Sequence, residues 1–261
     1  ILYRLVGSEM CIRDRSRTTL CLSTQVGCAL DCKFCATAKM GFIDNLDSGE
    51  IVDQFLLISK MISKPITNVV FMGMGEPFLN YSNVIKSAKL LHDPSGINLG
   101  YKRITISTAG IVKKIEQFTK ERQKFKLAIS LNGTTSDQRL KIMPITKSNS
   151  LESLLGASKK YSEVINTWLT FEYVLIKDCN DDPSDADRLI KILKGINKCK
   201  LNLIPYNETD GIYQRPDEKQ IKLFMKKLKN APFPVTVRWS KGTDIDAGCG
   251  QLAISENLMS A

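Results

Sequence analysis

From Thr18 onward, short runs of β-branched and apolar residues alternate with longer segments of helical period. The strand-like runs are Thr19–Val26, Asn68–Met74, Arg103–Thr108, Phe125–Leu131, Leu169–Ile176 and Lys200–Pro205. Between them the spacing predicts helices over Gly49–Ile62, Asn83–Leu91, Ile111–Glu121, Leu151–Tyr161 and Ser184–Leu193. The first helix reads with Val52, Phe55, Leu56 and Ser59 on one face and with Asp47 and Glu50 as an N-terminal capping pair. Strands separated by helix-sized connections predict a parallel sheet. The simplest closure is an α/β fold, a partial (β/α)6 TIM-like barrel. A last helix, Asp217–Lys229, sets Ile221, Phe224, Met225 and Leu228 on one face and Lys219, Lys222, Lys226, Lys227 and Lys229 elsewhere. Val235–Trp239 reads as a further strand before the Gly-rich tail Gly242–Gly250.

Composition places these elements in one large globular domain. The 261 residues are 43% hydrophobic and 25% charged, which excludes a disordered or fibrous chain. No apolar run approaches the ~18 residues of a membrane span, so no membrane partner is expected and the cytoplasm is the default compartment. Ile1–Arg15 differs in character from the rest and reads as a non-native leader of the cloning or adaptor kind, leaving residues 16–261 as the domain. Lys and Arg exceed Asp and Glu by 37 − 27 = 10, a balance suited to a protein that approaches phosphates. Charge alone leaves nucleic-acid binding open, and the lysines of the last helix read as a solvated face.

The cysteines carry the sharper signal. There are eight, and Cys28, Cys32 and Cys35 are crowded too closely to staple distant parts of a large domain. The triplet is predicted at the end of the first strand, where barrel enzymes place their chemistry. Three thiolates suit an iron–sulfur cluster with one iron left open. Zinc would need a fourth ligand, and His92, the only histidine, lies far away in sequence.

CX3CX2C after a first strand resembles the signature of the radical S-adenosylmethionine (SAM) superfamily. The resemblance implies a radical SAM barrel, a [4Fe–4S] cluster on Cys28, Cys32 and Cys35, and reductive cleavage of SAM to a 5′-deoxyadenosyl radical. The longer string from Cys21 to Cys35, and Asp244-Ile-Asp-Ala-Gly-Cys249-Gly-Gln-Leu, are similar to the RlmN family of dual-specificity 23S rRNA and tRNA adenine-C2 methyltransferases. By that likeness Cys249 becomes the S-methylcysteine intermediate, and Cys21 resolves the protein–RNA adduct through a transient disulfide with Cys249. Adenine C2 is electrophilic, which is why direct methyl transfer fails and a radical route is needed. Cys179 and Cys199 match no motif and read as structural.

Gly73-Met-Gly75-Glu76-Pro77 resembles the superfamily's Gly-Glu-Pro segment, which implies that Gly75 and Glu76 contact SAM. The same match carries Ser107, Ser130, Leu131, Asn132 and Asn207 into the SAM pocket. Two departures stand out: the family's helical N-terminal RNA-binding domain is not seen, and its proton-accepting glutamate falls in the leader, near Ser8 and Glu9. The family implies 23S rRNA and tRNA as substrates and an electron donor such as flavodoxin or ferredoxin; a monomer is expected. Two rivals are an adenine-C8 methyltransferase of the antibiotic-resistance type, which shares these motifs, and a non-catalytic metal-stabilised RNA-binding module, which gives Cys21 and Cys249 no role.

Overall fold

The computed structural model describes residues 11–14, 17–209, 212–239 and 248–252, with side chains from Arg17 onward. Its centre is one eight-stranded sheet made of β1 (Cys11–Asp14), β2 (Arg17–Leu22), β5 (Asn68–Phe71), β6 (Ile104–Thr108), β7 (Lys126–Ser130), β8 (Leu169–Leu175), β9 (Cys199–Pro205) and β10 (Val235–Val237). All neighbours from β2 to β10 pair in parallel, and β1 adds an antiparallel edge beside β2. β1 and β10 lie at opposite ends of the strand order, so the barrel is incomplete, as predicted. Sequence reasoning placed no element before Thr18; strand β1 falls inside the stretch set aside as a leader, while residues 1–10 lie outside the described ones.

Helices make the crossovers: α1 (Ala36–Lys39), α2 (Ser48–Met61), α3 (Tyr81–His92), α4 (Val112–Lys120), α5 (Ser136–Ile142), α6 (Leu151–Ile165), α7 (Pro183–Leu193) and α8 (Glu218–Leu228). The Asp47–Glu50 capping box forms at the start of α2. Its buried face is Ile51, Gln54, Phe55 and Ile58, and Leu56 is exposed, so the face predicted from apolar residues alone was rotated. Gln54 is the reason. Its amide brackets the backbone of Ser23, with the Ser23 N–H donating to Oε1 at 2.9 Å and Nε2 donating to the Ser23 carbonyl at 3.0 Å.

That clamp also divides the first predicted strand. Ser23 Oγ accepts from Met74 N–H at 3.0 Å, so β2 ends at Leu22, and β3 (Gln25–Gly27) turns away to pair antiparallel with β4 (Phe42–Asn45). Cys28, Cys32 and Cys35 therefore sit in the connection of a hairpin that follows β2, not at the strand end itself. Gly27 is required where the hairpin closes: its φ is +72°, and a Cβ would stand 1.9 Å from the Gly41 carbonyl oxygen.

Parallel register sorts side chains onto two faces, because residues directly opposite one another share a face and alternate along each strand. One face carries Leu20, Val69, Ile106, Ile129, Phe171 and Leu203, all buried beneath the helices. The other is polar. Following the pairings across the sheet puts Cys21, Ser107, Ser130, Glu172 and Thr236 on it, and Arg238 joins them one turn of the pleat beyond Thr236.

Candidate active site

The polar face borders a cavity of about 160 Å³ at the C-terminal ends of the strands. Cys28, Cys32, Cys35, Gly75, Glu76 and Cys249 line it, together with Ser107, Ser130, Asn132, Glu172 and Asn207. The fold thus brings residues spread over most of the chain to one cavity, and of these all but Glu172 are site candidates from the sequence. Leu131 stands apart: its side chain is fully buried in the core, and its backbone bonds Glu172 and Arg139.

The hairpin loop holding the triplet is tied at three points. Cys28 N–H donates to the Gly41 carbonyl at 2.8 Å, Lys33 N–H to Ile142 at 2.9 Å, and Ala36 N–H to Gly250 at 2.7 Å. Burial, with Glu76 and Cys35 nearby, pushes the Cys28 thiol up to about 11, and burial with the Cys35 and Cys28 sulfurs raises Cys32 well above the ordinary thiol range. Bare, the Cys28 and Cys32 thiols are therefore neutral, and a cationic metal centre would supply the compensation that thiolates need. Among the described residues no three acidic, imidazole or thiol groups converge on one point as a mononuclear site requires. His92 bonds the Leu99 carbonyl instead. Three soft ligands set apart around one cavity fit a cluster that spreads its thiolates over separate irons.

Glycine lets the next loop approach. At Gly75, with φ +93°, a Cβ would fall 2.5 Å from the Gln25 side chain, which accepts the Glu76 N–H at 2.8 Å. Glu76 is buried, and its two carboxylate oxygens accept from Phe78 N–H at 3.0 Å and Ala109 N–H at 2.7 Å. Burial raises its carboxyl above the ordinary range despite those bonds. Asn132, at φ +52°, accepts the Val174 N–H at 2.9 Å and so joins the ends of β7 and β8. Asn207 Nδ2 donates to the Cys249 carbonyl at 3.0 Å, which anchors the C-terminal segment over the cavity. Residues 244–247 of the Cys249 motif, and Ser8 and Glu9, lie outside the described residues.

Cys21 is buried on β2, and Cys249 packs against the same core. Both are free thiols. Burial, then the nearby Cys249 sulfur, pushes Cys21 up to about 12; burial also raises Cys249, opposed by the Arg238 guanidinium.

Three residues beside the cavity and its walls escaped the sequence reading. Glu172 and Arg238 meet inside the barrel at 3.9 Å. Arg139, fully buried on α5, donates from Nε to the Leu131 carbonyl at 3.0 Å and from Nη1 to Thr146 Oγ1 at 2.7 Å, and Nη2 donates to the Ala109 carbonyl. It ties together the loops after β6 and β7. A charged residue inside the strand Leu169–Leu175 was a readable signal for Glu172; a lone arginine on a short helix carries none.

An open parallel barrel with three thiols beside its C-terminal cavity defines a radical SAM enzyme, and residues 22–190 match the Radical SAM superfamily. The probable dual-specificity RNA methyltransferase RlmN of Pseudothermotoga lettingae is 46% identical over 93% of this chain and 70% of its own length, and that of Flavobacterium johnsoniae 44% over 97% and 73%. A crystal structure of a radical SAM methyltransferase from Sphaerobacter thermophilus superposes with a TM-score of 0.89 at 40% identity, covering 92% of this chain and 72% of that one. The chain belongs to the RlmN family. Its cofactors are accordingly a [4Fe–4S] cluster and SAM. Among the described residues no helix is long and apolar enough to cross a membrane.

Proposed function

We propose that this chain methylates C2 of an adenosine in 23S rRNA and in tRNA, with Cys249 as methyl carrier and Cys21 as resolving thiol. The observation that supports this reading is that Cys249 lines the cavity together with Cys28, Cys32 and Cys35, while Cys21, buried on β2, is near enough to feel the charge of the Cys249 sulfur. The relatives' name supports RNA as substrate. Cys28, Cys32 and Cys35 would hold the cluster, while Gly75, Glu76, Ser107, Ser130, Asn132 and Asn207 would bound the SAM pocket.

Bound there, cluster and SAM supply a sulfonium methyl for displacement and, on one-electron reduction, a 5′-deoxyadenosyl radical able to take hydrogen from an S-methyl group. Cys249 loses its proton and takes the methyl. The methylene carbon joins C2, and the adduct gives up the C2 proton to solvent and one electron, for which the oxidised cluster would be the acceptor; the Cys21 thiolate then attacks the Cys249 sulfur. The S–CH2 bond breaks with its electron pair staying on carbon, which is protonated to the methyl product. The Cys21–Cys249 disulfide left behind is reduced before another turnover. An electron donor of the flavodoxin or ferredoxin type, a monomeric state and a cytoplasmic setting complete the reading.

Nucleoside mass spectrometry of 23S rRNA and tRNA after anaerobic turnover tests it. The expected product is 2-methyladenosine. A methyl group at C8 would move the chain to the rival regiochemistry, and no methylated adenosine from a cluster-loaded, SAM-cleaving protein would overturn the proposal.

A further inference from the structure

The proposed route asks two buried thiols to carry negative charge away from water, which is costly without a counter-charge. We propose that Arg238 is the positioning residue of this chemistry, holding charge on Cys249 as it accepts a methyl group and on Cys21 as it attacks. The inference rests on the two-thiol reading above.

Its basis is the sheet register. Arg238 N–H donates to the Leu203 carbonyl at 2.8 Å, continuing the pairing of β10 with β9, so its side chain points to the polar face with Thr236. From there it reaches across the barrel interior. Nη1 lies 3.9 Å from Glu172 Oε1 and donates to Met72 Sδ at 3.7 Å, and Met72 is two residues beyond Val70, the register partner of Cys21. Cys249 and Cys35 line the cavity with Glu172 and Met72, the two groups the guanidinium meets, and the Arg238 charge is felt at both the Cys249 and the Cys21 sulfur. Arg238 is the cation among them. Glu172, on the next strand but one, keeps the guanidinium from turning out to solvent. In the methyl-transfer step the thiol proton leaves to water, the Cys249 sulfur forms the new S–CH3 bond, and the sulfonium C–S bond breaks to release S-adenosylhomocysteine; the guanidinium only steadies the sulfur's charge.

The test is peptide-resolved alkylation of Cys249 in the anaerobically reconstituted holoprotein, using neutral iodoacetamide and anionic iodoacetate. Arg238→Met should slow iodoacetamide about tenfold and lower the iodoacetate-to-iodoacetamide rate ratio, while Arg238→Lys restores both. Should the Met variant lose its fold or cluster, Arg238→Gln carries the same comparison. Unchanged rate and ratio in the uncharged variant, or no rescue by lysine in a folded protein, would overturn the inference. Failure of the underlying reading is seen separately, as alkylation that depends on Arg238 in a protein whose Cys249 takes no methyl from labelled SAM.

Discussion

Strand β8 meets two environments within seven residues. Leu169, Phe171, Tyr173 and Leu175 are wholly buried on the helix side, while Thr170, Glu172 and Val174 face the barrel interior. The first set gains the apolar burial that stabilises the fold, on the order of 1.5–3 kcal/mol for a side chain the size of Phe171. The second includes a carboxylate whose burial raises it above its ordinary range, countered chiefly by Arg238. The same contrast runs across the sheet from Leu20 beside Cys21 to Leu203 beside Ile204, where the cavity begins. Apolar burial is concentrated on the outer face, and the inner face carries buried polar groups that cost stability.

Four substitutions bear on that contrast. Phe171→Ala should lower unfolding free energy by about 3–5 kcal/mol in denaturant titration while leaving cavity groups in place. A loss under 1 kcal/mol would mean that the outer face is not where stability resides. Arg139→Met should cost about 3 kcal/mol, since the Leu131 and Ala109 carbonyls lose their buried donor, and should weaken SAM binding in calorimetry as well, because those loops wall the cavity. Ser107→Ala should leave stability within about 1 kcal/mol yet weaken SAM about tenfold; the reverse pattern would blur the two faces. The smallest effect concerns pH. Cys21 is raised to about 12 when folded from an ordinary 9, so its contribution is complete below pH 9 and is lost as pH rises toward 12. Above pH 9 the cluster-free protein should therefore lose up to about 1.4 kcal/mol per pH unit more than Cys21→Ala does, as read by unfolding at pH 8, 9.5 and 10.5.

Much of this was written locally in the chain. Alternation and helical period located the parallel strands and their helices, and the triplet with Cys21 and Cys249 pointed to a candidate site through its likeness to a family. The long-range parts were harder to read. Whether Ser23 belongs to a strand depends on Gln54, which lies 31 positions away, and its clamp moved the triplet into a hairpin. The hairpin strand Phe42–Asn45 has no buried face, so no periodicity announces it. Arg238 gains meaning only from register summed across seven parallel strands, and Arg139 looks like a surface residue until α5 docks against the loops it holds. Leu131 shows the converse: the family likeness placed it in the SAM pocket with Ser130 and Asn132, whereas strand alternation sends its side chain to the core.

The central claim is that Cys249 carries the methyl group. Peptide mass spectrometry of the anaerobically reconstituted protein after incubation with methyl-labelled SAM addresses it directly. The account predicts one labelled methyl on Cys249, absent in Cys249→Ala; label on another residue, or none on a protein that holds cluster and SAM, would contradict it.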